Sequence, residues 1–579
     1  MKRILKYIWK YKALVIIPSI AMLISIIIDM FNPYLNKIMV DNVLGNKEIN
    51  LLWIVLAGLA SISISRSLLG YFKEYAFDVL SAKINIDIKQ DLFDHIQNLS
   101  FSYFDSMNTG ELMSRIGEDV DNIWRTISFG LRLFVENVLY FVISAVILFS
   151  LNWKLALVCI LIMAPIAHIA LKFEKQIGIS YEKLSDQGAI LNTTAQENIA
   201  GVRLVKAFAR EKHEILKFLE INKQNYSLAM EQSNIMAKYI PLIDLLTNIA
   251  IVAMISLGGI LVINGEISLG TLVAFYGYIW NLIWPMRNLG WLTNMLAQTN
   301  ASAKKIFKIF NIIPEIKDKE NTIHLENMRG HIMFNNVSFK YNEEIILKEI
   351  NIDVKPGNTI AIMGTTGSGK SSIINLIGRY YDVFEGSINI DDINVKDLAL
   401  DTLRSQMAVI SQDTFLFSDT IEQNIKIGNQ NATMEEIREA CQNACALDFI
   451  GELEDGFNTV IGERGIGLSG GQKQRISIAR ALVRKGKILI LDDATSALDM
   501  ETEYELLKNL KAIKNKTTTF IIAHRISAVK NADQIIYVEN GSIVERGTHE
   551  ELLALKGKYY CIYCDQFKDF QDIESKVVV

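Results

Sequence analysis

Between the apolar run 359–363 and the helix-like run 373–380, the chain reads Gly364-Thr365-Thr366-Gly367-Ser368-Gly369-Lys370-Ser371-Ser372. These residues have the spacing G-x-x-x-x-G-K-[ST] of a phosphate-binding loop between a strand and a helix. Glycines allow successive backbone N–H groups to point towards one centre, and the helix N-terminus adds the positive end of its dipole. Lys370 is then expected to reach the β- and γ-phosphates of a nucleotide, and the Ser371 hydroxyl to bind Mg²⁺. A plain glycine- and serine-rich turn is the alternative, but it does not explain the lysine, the hydroxyl and both flanking elements together.

The composition divides the chain into two halves of different character. Its 579 residues exceed the length of one domain, and 50% of them are hydrophobic. The first half contains apolar runs of about 20 residues, whereas the second alternates strand and helix patterns as α/β domains do. The net charge is only −5, which gives no reason to expect nucleic acid as a partner. The five cysteines lack the spacing of a zinc site and are expected to be reduced thiols.

Six apolar runs in the first half have the length of membrane-spanning helices. They lie at 13–33, 51–72, 131–151, 155–172, 240–263 and 269–290. Basic residues cluster within 1–12 and place the N-terminus in the cytoplasm, and six spans return the chain there before the phosphate loop. The first run is too long for a cleavable signal peptide and is followed by no small-residue cleavage site. The two inner segments, 73–130 and 173–239, are rich in charge and are expected to continue the spans as helices.

Six polar or ionisable side chains lie within the predicted spans, where contact with lipid is costly. They are Arg66, Glu136, His168, Asp244, Asn248 and Arg287. Such residues either face a water-filled cavity or pair with one another between helices. In the first case they would contact a large amphipathic substrate, and Glu136 and Asp244 would favour a cationic one. The sequence leaves both interpretations open.

Four further motifs follow the phosphate loop. Ser411-Gln412-Asp413 comes after the apolar strand 407–410, and Leu468-Ser469-Gly470-Gly471-Gln472 opens a second helix at a glycine turn. A buried-strand run, 488–491, ends in the carboxylates Asp492 and Asp493, and a later strand-like run ends at His524. Helix N-termini bind phosphates, and carboxylates bind Mg²⁺. The order and spacing of these motifs carry a family resemblance.

With these motifs, the six spans and two inner stretches at 101–121 and 197–208, the chain resembles the ABC exporter family, as a half-transporter. The resemblance implies a multidomain protein, in which an all-α six-helix transmembrane domain is followed by an α/β P-loop ATPase domain. The two inner stretches match the regions that carry the coupling helices, which pass motion from the ATPase to the membrane domain. The expected boundaries are 1–310 for the transmembrane domain, 311–328 for a linker, 329–570 for the nucleotide-binding domain and 571–579 for a tail.

The resemblance also implies roles towards ATP and Mg²⁺. Tyr341 matches the residue that stacks on adenine, and Gln412 matches the glutamine that reaches Mg²⁺ and the attacking water. Asp492 matches the Mg²⁺-associated carboxylate, while Asp493 and His524 occupy the positions of the catalytic carboxylate and of the histidine that contacts the γ-phosphate. The implied metal ligands are Ser371, Gln412 and Asp492. The remaining implied ATP contacts are Gly364, Thr365, Thr366, Gly367, Ser368, Gly369, Lys370, Ser371 and Ser372 and, for the ATP of a partner subunit, Leu468, Ser469, Gly470, Gly471 and Gln472.

One position departs from the family pattern. Members with a competent site usually carry glutamate where this chain has Asp493. Aspartate is also a carboxylate, but its side chain is one methylene shorter, and an error of about 1 Å in placing a catalytic group can cost about 100-fold in rate. The sequence therefore predicts slow or impaired hydrolysis at this chain's own phosphate loop, beside an intact signature motif at 468–472.

These features predict ATP-driven export of amphipathic substrates, with drugs as the first class, across the cytoplasmic membrane by alternating access. The chain thus combines a weak catalytic base at Asp493 with an intact family signature motif at 468–472. This combination resembles one subunit of a heterodimeric bacterial multidrug exporter, the subunit whose own ATP site is degenerate. The expected partners are a second half-transporter, membrane lipid and an amphipathic small molecule, with the N-terminus and the ATPase domain in the cytoplasm. Two alternatives remain open: a homodimeric lipid flippase with normal ATPase activity, and a nucleotide-sensing regulatory subunit with little turnover.

Overall fold

The computed structural model describes residues 2–325, 327–341, 343–462, 465, 467–513 and 517–577. The chain forms two compact units. The first comprises Met1–Asn98 and Met107–Ile313, and the second comprises Leu99–Ser106 and Pro314–Val579. The division after Ile313 falls inside the segment 311–328 that was expected to be a linker.

The first half of the chain is helical. Short π-helical turns, Met39–Gly45, Arg115–Asp119 and Thr126–Gly130, adjoin its α-helices. In chain order the α-helices are α1 (Lys2–Lys10), α2 (Lys12–Ile38), α3 (Ile49–Gln97), α4 (Phe101–Ser106), α5 (Thr109–Ser114), α6 (Val120–Arg125), α7 (Leu131–Leu151), α8 (Trp153–Ala200), α9 (Val202–Ala207), α10 (Glu211–Ile263) and α11 (Leu269–Phe310).

Four of these helices are much longer than the hydrocarbon layer of a bilayer is thick. Helices α3, α8, α10 and α11 contain 49, 48, 53 and 42 residues. At about 1.5 Å per residue, each exceeds the hydrocarbon thickness of about 30 Å by a factor of about two. Each helix therefore continues beyond the hydrocarbon layer, as the charge-rich inner segments predicted for α3, α8 and α10.

Five helical segments in the described part of the chain are long and apolar enough to cross a membrane. They are Lys12–Gly45, Ile49–Gln97, Thr109–Leu151, Trp153–Ala200 and Glu211–Ile263, and they contain the first five predicted spans. The sixth predicted span, 269–290, lies in α11, which is not among them. Helix α11 buries Phe275, Tyr278 and Leu282 completely or almost so within the first unit, and the Tyr278 hydroxyl donates to the Met30 carbonyl at 2.6 Å. A helix packed among other helices needs fewer lipid-compatible side chains, which explains its weaker hydropathy.

Four of the six polar residues in the predicted spans form ion pairs within the first unit. Arg66 pairs with Asp29 at 3.1 Å, and Arg287 pairs with Asp244 at 2.8 Å. Glu136 accepts a hydrogen bond from Lys73, and both side chains are largely buried. Of the two interpretations left open by the sequence, the structure thus favours pairing between helices for these residues. Glu136 and Asp244 are not free to offer an unpaired charge to a cationic substrate.

Helix α4 belongs to the second unit, although the sequence assigned it to the transmembrane domain. The Phe101 ring packs on Tyr380 with 4.7 Å between ring centroids, and the Tyr381 hydroxyl donates to the Asp105 carboxylate at 2.6 Å. Burial and this carboxylate raise the pKa of Tyr381. These aromatic and polar contacts explain the assignment, because the six-residue helix has too few residues to bury a core of its own.

The second unit contains two sheets. An antiparallel sheet has the strand order β2-β1-β4-β5, and a larger sheet has the order β10-β9-β3-β8-β7-β6, in which only β10 is antiparallel to its neighbour. Every residue of β3 is buried, as expected for a central parallel strand covered on both faces. The strands are β1 (Ile332–Tyr341), β2 (Glu344–Val354), β3 (Thr359–Gly364), β4 (Glu385–Ile390), β5 (Ile393–Asn394), β6 (Met407–Ile410), β7 (Ile488–Asp492), β8 (Thr518–Ile522), β9 (Gln534–Glu539) and β10 (Ser542–Gly547).

Helices cover the larger sheet and connect its strands. The helix after the phosphate loop starts at Lys370, three residues before the predicted 373–380, because the loop glycines end immediately before it. It ends before Gly378. The helices are α12 (Lys370–Ile377), α13 (Leu400–Ser405), α14 (Ile421–Lys426), α15 (Met434–Asn443), α16 (Leu447–Gly451), α17 (Gly470–Leu482), α18 (Met500–Ile513), α19 (Ile526–Val529), α20 (His549–Leu555) and α21 (Lys558–Val577), with a 3₁₀ turn at Gly456–Asn458.

The pair His549 and Tyr559 predicts how the stability of the second unit depends on pH. His549 Nδ1 lies 2.7 Å from the Tyr559 hydroxyl, and burial, with Lys530 as a smaller cause, holds the pKa of His549 below its ordinary value of 6.5. As the pH falls through 6.5, the unfolded chain takes up this proton before the folded chain does. Stability is therefore full above that pH and declines below it, until the folded state is protonated too.

The measurement is thermal unfolding of the wild type and of His549→Gln between about pH 7.5 and about pH 5.5. The wild type is expected to lose a few degrees of Tm more than the variant over this range. Equal losses in the two proteins would contradict the assignment of this pH dependence to His549.

Candidate nucleotide-binding and catalytic site

Chemically active groups follow the carboxyl ends of four neighbouring parallel strands, so they lie at one edge of the larger sheet. In the spatial order β3-β8-β7-β6, their carboxyl ends lead to the phosphate loop, His524, the Asp492–Asp493 pair and Gln412. Ligands of open α/β sheets bind at this edge. The groups line one cavity of about 340 Å³, whose residues are Ile346, Thr366, Gly367, Gly369, Lys370, Ser371, Ser372, Gln412, Asp492, Asp493, Ile522 and His524.

The phosphate loop requires glycine at two positions. Gly364 has φ +149° and lies so close to β9 that a Cβ atom would be 2.1 Å from the Val538 carbonyl oxygen. Gly369 has φ +99°, and a Cβ atom there would be 2.6 Å from Leu347 Cδ2. A larger residue at Gly364 would therefore displace the loop from β9, and one at Gly369 would be strained in its backbone and would press on the Leu347 side chain. This packing holds the backbone N–H groups of the loop beside the start of α12.

Lys370 is held inside the loop. Its ammonium Nζ donates to the Gly364 carbonyl at 3.0 Å and to the Thr365 carbonyl at 2.8 Å. Burial lowers the pKa of Lys370, while the Asp492 and Asp493 carboxylates act in the opposite direction. The side chain is thus fixed at the cavity wall, and an ammonium has a third N–H to offer to a phosphate oxygen.

The residues present fit a triphosphate and Mg²⁺. The Ser368 hydroxyl is only 3% exposed and has no hydrogen-bond partner among the described residues. An unsatisfied buried hydroxyl costs about 1–3 kcal/mol. Ser368 itself does not line the cavity, so the fit to a triphosphate rests on the loop N–H groups and on Lys370. The Ser371 hydroxyl is hydrogen-bonded to the Asp492 carboxylate, so two oxygen ligands of the kind that Mg²⁺ prefers lie together beside the loop.

Asp492 is a partly buried carboxylate at the end of β7. Burial raises its pKa and the neighbouring Asp493 adds to this effect, whereas the Ser371 hydroxyl, Lys370 and His524 lower the pKa. A desolvated carboxylate with one hydroxyl partner gains from a nearby dication more than an exposed one does. This environment suits a metal ligand.

Asp493 adopts a left-handed backbone conformation, with φ +48°. Its N–H donates to the Ile522 carbonyl at 3.0 Å, and its own carbonyl accepts from Gln474 Nε2 at 3.2 Å and from the Ser496 hydroxyl at 3.1 Å. Aspartate is among the few residues that tolerate this conformation. The Ser496 N–H donates to the same carbonyl at 3.3 Å, so four hydrogen bonds fix the backbone while the carboxylate lines the cavity.

The structure does not bring the remaining predicted residues into this cavity. Tyr341 packs edge-on against Phe339 and Tyr381, at centroid distances of 4.8 and 5.1 Å, so its role in binding adenine stays a prediction. Ser469 caps α17, accepting from the Gln472 N–H at 3.3 Å and donating its own N–H to Gln472 Oε1 at 2.9 Å. The described residues 468–472 do not line the cavity, and the glycine-opened helix start faces elsewhere.

Comparison with known proteins identifies the chain. The family model for the ABC transporter transmembrane region matches residues 15–286, and the ABC transporter model matches residues 347–496. The uncharacterized ABC transporter ATP-binding protein YknU of Bacillus subtilis is 38% identical over 576 residues, which are 99% of this chain and 98% of the relative. The chain belongs to the ABC transporter family. It is an ABC exporter, in which a helical membrane region and an ATP-hydrolysing domain are fused in one chain.

Other relatives of the exporter differ in their stated substrates. The ATP-dependent lipid A-core flippase of Desulfotalea psychrophila is 38% identical over 563 residues, covering 97% of this chain and 98% of that protein. The putative multidrug export protein YgaD of Bacillus subtilis is 36% identical over 575 residues, covering 98% and 99%. A solved bacterial Atm1-family ABC exporter with ATP bound has a TM-score of 0.82 at 27% identity, over 96% of this chain and 98% of that one.

Two residues of the exporter that the motif analysis missed hold the His524 segment. Gln566 on α21 donates from Nε2 to the His524 carbonyl at 2.6 Å, and its Oε1 accepts from the Ile526 N–H at 2.9 Å. Glu503 on α18 is 3% exposed and accepts from the Thr495 hydroxyl at 2.7 Å and from Arg525 at 3.1 Å. Both lie beyond residue 496, where the family match ends. No spacing rule connects Gln566 to a strand end forty residues earlier, so sequence alone carried no signal for it.

Replacing Gln566 with alanine is expected to slow hydrolysis at His524 without weakening ATP binding. Both backbone hydrogen bonds are lost, so single-turnover hydrolysis should fall about three- to tenfold while the ATP KM stays unchanged. In Gln566→Glu, the rate of hydrolysis should partly recover as the pH is lowered, because a protonated carboxyl can again donate a hydrogen bond to the His524 carbonyl. Cys561→Ala, an exposed position on the same helix, is the control. An equal loss in kcat and in ATP affinity would indicate a general disturbance instead.

Proposed function

We propose that this chain is one half of a heterodimeric exporter of amphipathic compounds, with drugs as the first class, and that its own ATP site hydrolyses slowly. The observation that carries the proposal is Asp493. It stands where a glutamate is usual, in a cavity that otherwise contains the phosphate loop, Gln412, Asp492 and His524 together.

Each group has a defined task in ATP hydrolysis. The loop N–H groups and Lys370 bind the phosphates, and Ser371, Asp492 and Gln412 would hold Mg²⁺, which neutralises charge on the phosphate oxygens. Asp493 orients the water whose oxygen attacks the γ-phosphorus, and His524 contacts the γ-phosphate. The bond to the bridging oxygen breaks, ADP and phosphate leave, and the water proton passes to a carboxylate or a phosphate oxygen.

The hydrogen bonds of Asp493 support a slow site. A shorter carboxylate could still reach the water if its backbone moved inward by about 1 Å, and an error of that size can cost about 100-fold when it is not corrected. Here the Asp493 N–H is hydrogen-bonded to β8, and the Asp493 carbonyl is hydrogen-bonded to Gln474 and Ser496. The proposal is that this anchoring keeps the carboxylate short of its target, so ATP stays bound for longer.

A partner subunit is needed to complete the site. In the proposed assembly, the signature of each chain faces the ATP of the other, and the signature at 468–472 would complete a faster site on a partner that carries glutamate. Helix α9 supports an interface of this kind, because Leu204 is 64% exposed and the following Phe208 is 70% exposed. A short helix with exposed apolar side chains at the end of α8 fits a coupling helix that docks on another chain.

The substrate class is proposed from the family and from the first unit. A cavity of about 1230 Å³ there is lined by residues of α8, of α11 and of the segment 114–125, with Tyr181 and Trp291 beside charged side chains such as Arg115 and Glu174. Such a mixture of aromatic and polar groups suits amphipathic molecules. None of the six polar residues singled out in the sequence lines it within the described chain. We place the N-terminus and the ATPase domain in the cytoplasm, from the basic cluster at 1–12.

Lipid flipping by a homodimer is the second candidate. It is favoured by the lipid A-core flippase of Desulfotalea psychrophila, which is 38% identical to this chain, as YknU is. A homodimer would hydrolyse ATP at two equivalent sites at an ordinary rate. The heterodimer would instead show one slow site and one fast site.

The experiment is purification of the tagged full-length chain from its native membrane, followed by transport assays in proteoliposomes. Co-purification of a second half-transporter with glutamate at the Asp493 position, and ATP-dependent uptake of a fluorescent amphipathic drug, are the expected results. Purification as a homodimer that moves labelled lipid between leaflets would replace the proposal by the second candidate. ATP binding without any transport of drugs, lipids or peptides would instead indicate a regulatory subunit.

A further inference from the structure

A second cavity of the ATPase unit lies beside α18 and shares no lining residue with the nucleotide cavity. Its volume is about 550 Å³, within the range of about 300–1,000 Å³ that small-molecule sites occupy. Leu507 and Leu510 of α18 form one wall, and Ile521 of β8 lies on the other. All of these residues belong to the second unit, so the cavity lies within a single compact unit.

The walls of this cavity are apolar because it lies between two parts of the core. Leu507 packs against the core cluster of β9 and α20, Leu510 packs against the cluster beneath α17, and Ile521 contacts both. Protein interiors are normally close-packed, and large voids between apolar side chains are uncommon. An apolar group of suitable size would therefore gain contacts with both clusters by entering.

The rim of the cavity is cationic. Lys508, Lys511 and Lys530 line it, and none of them forms an ion pair with another described residue. The carboxylate among the lining residues, Glu503, is already bonded to Arg525 and Thr495. The unpaired charge at the rim is thus positive, which favours an anionic head group.

We propose that this cavity binds a single-chain amphipathic anion of the fatty-acid class, with its acyl chain between Leu507, Leu510 and Ile521 and its carboxylate among the three lysines. An apolar interior with a charged rim matches a molecule that has one apolar and one anionic end. The proposal does not depend on which substrate is transported, on which partner subunit is present or on whether the Asp493 site is slow.

The position of the cavity connects an occupant to the hydrolysis site. Glu503 joins the segment after Asp493, through Thr495, to the segment after β8, through Arg525. An occupant that packs between α18 and β8 holds these two segments together, and they flank the Asp493 and His524 side chains. A bound anion would therefore restrain both segments through Glu503.

The test is photo-crosslinking of the full-length transporter, in nanodiscs of neutral lipid, with decanoate that carries a diazirine on its chain. Mass spectrometry is expected to find the label within 500–511 or 519–532, and unlabelled decanoate should compete. Leu507→Trp, which fills the cavity, and the double variant Lys508→Glu/Lys530→Glu should each lower this labelling about tenfold or more, a difference of about 1.4 kcal/mol in binding. Lys355→Glu, at an exposed lysine that does not line the cavity, should leave the labelling unchanged.

Two further measurements keep the outcome decisive. Binding of a fluorescent ATP analogue checks that each variant is folded, and a decanol probe with the same diazirine tests the need for the anionic head. Labelling of these segments that persists in both variants while they bind the ATP analogue would overturn the proposal, as would labelling confined to the membrane helices. Equal labelling by decanol would reject the anionic class. Failure of transport would leave these results unaffected, because none of them depends on transport.

Discussion

Replacing Asp493 with glutamate is expected to raise hydrolysis at this chain's own ATP site by about 10- to 100-fold, if the reach of the carboxylate limits the rate. The extra methylene extends the carboxylate into the cavity by about 1 Å, while the backbone anchors to Ile522, Gln474 and Ser496 keep its starting point unchanged. The measurement is single-turnover hydrolysis and the lifetime of trapped ATP in the full transporter with its partner.

The backbone conformation of Asp493 means that the faster glutamate variant should also be less stable. A residue with φ +48° is strained unless it is glycine, asparagine or aspartate, and the left-handed conformation costs other residues about 1–2 kcal/mol. Asp493→Glu should therefore be faster but less stable, with a Tm lower by about 2–4 °C per kcal/mol. Asp493→Asn is the matched control, since it keeps the length and tolerates the conformation but loses the charge, and it should slow hydrolysis further. An unchanged rate in the glutamate variant would remove the main support for a slow site.

Replacing Lys370 with alanine is expected to have the opposite and larger effect. Removing one buried charged donor from a developing phosphate charge costs about 100- to 1,000-fold in rate. ATP affinity should fall as well, because the lysine contacts the phosphates before the reaction begins. In the proposed heterodimer, transport should fail even though the partner's hydrolysis site is intact, since both nucleotides are needed to close the dimer.

The control for this variant concerns the loop itself. Lys370 also bonds to the carbonyls of Gly364 and Thr365, so part of the loss could arise from a loosened loop. Lys370→Arg keeps a charge, but its planar guanidinium does not replace a compact ammonium, and little recovery is expected. Lys348→Ala, at an exposed position of the same unit, should behave as wild type. Near-normal ATP binding by Lys370→Ala would contradict the assignment of the loop.

The sequence predicted the residues that line the nucleotide cavity better than it predicted the residues that hold them in place. Seven side chains with predicted roles, from Lys370 to His524, do line one cavity, because each follows a strand end and parallel strands end at one edge. Gln566 and Glu503 escaped notice, since their contacts depend on where α21 and α18 pack. The paired charges of the first unit also could not be predicted, because spans give the depth of Arg66 or Asp244 but not the direction in which each faces.

Local pattern by itself determined the phosphate loop, the strand-end carboxylates and the long apolar helices, since these follow from glycine spacing, from strand ends and from runs of hydrophobic residues. The family resemblance that these motifs carry revealed the departure at Asp493. Only the tertiary structure decided that α4 belongs to the ATPase unit, that Tyr341 stands outside the phosphate cavity and that the Asp493 backbone is anchored on both sides. These facts rest on contacts between segments far apart in the chain, and such contacts are set by how the elements pack, which no short stretch of sequence encodes.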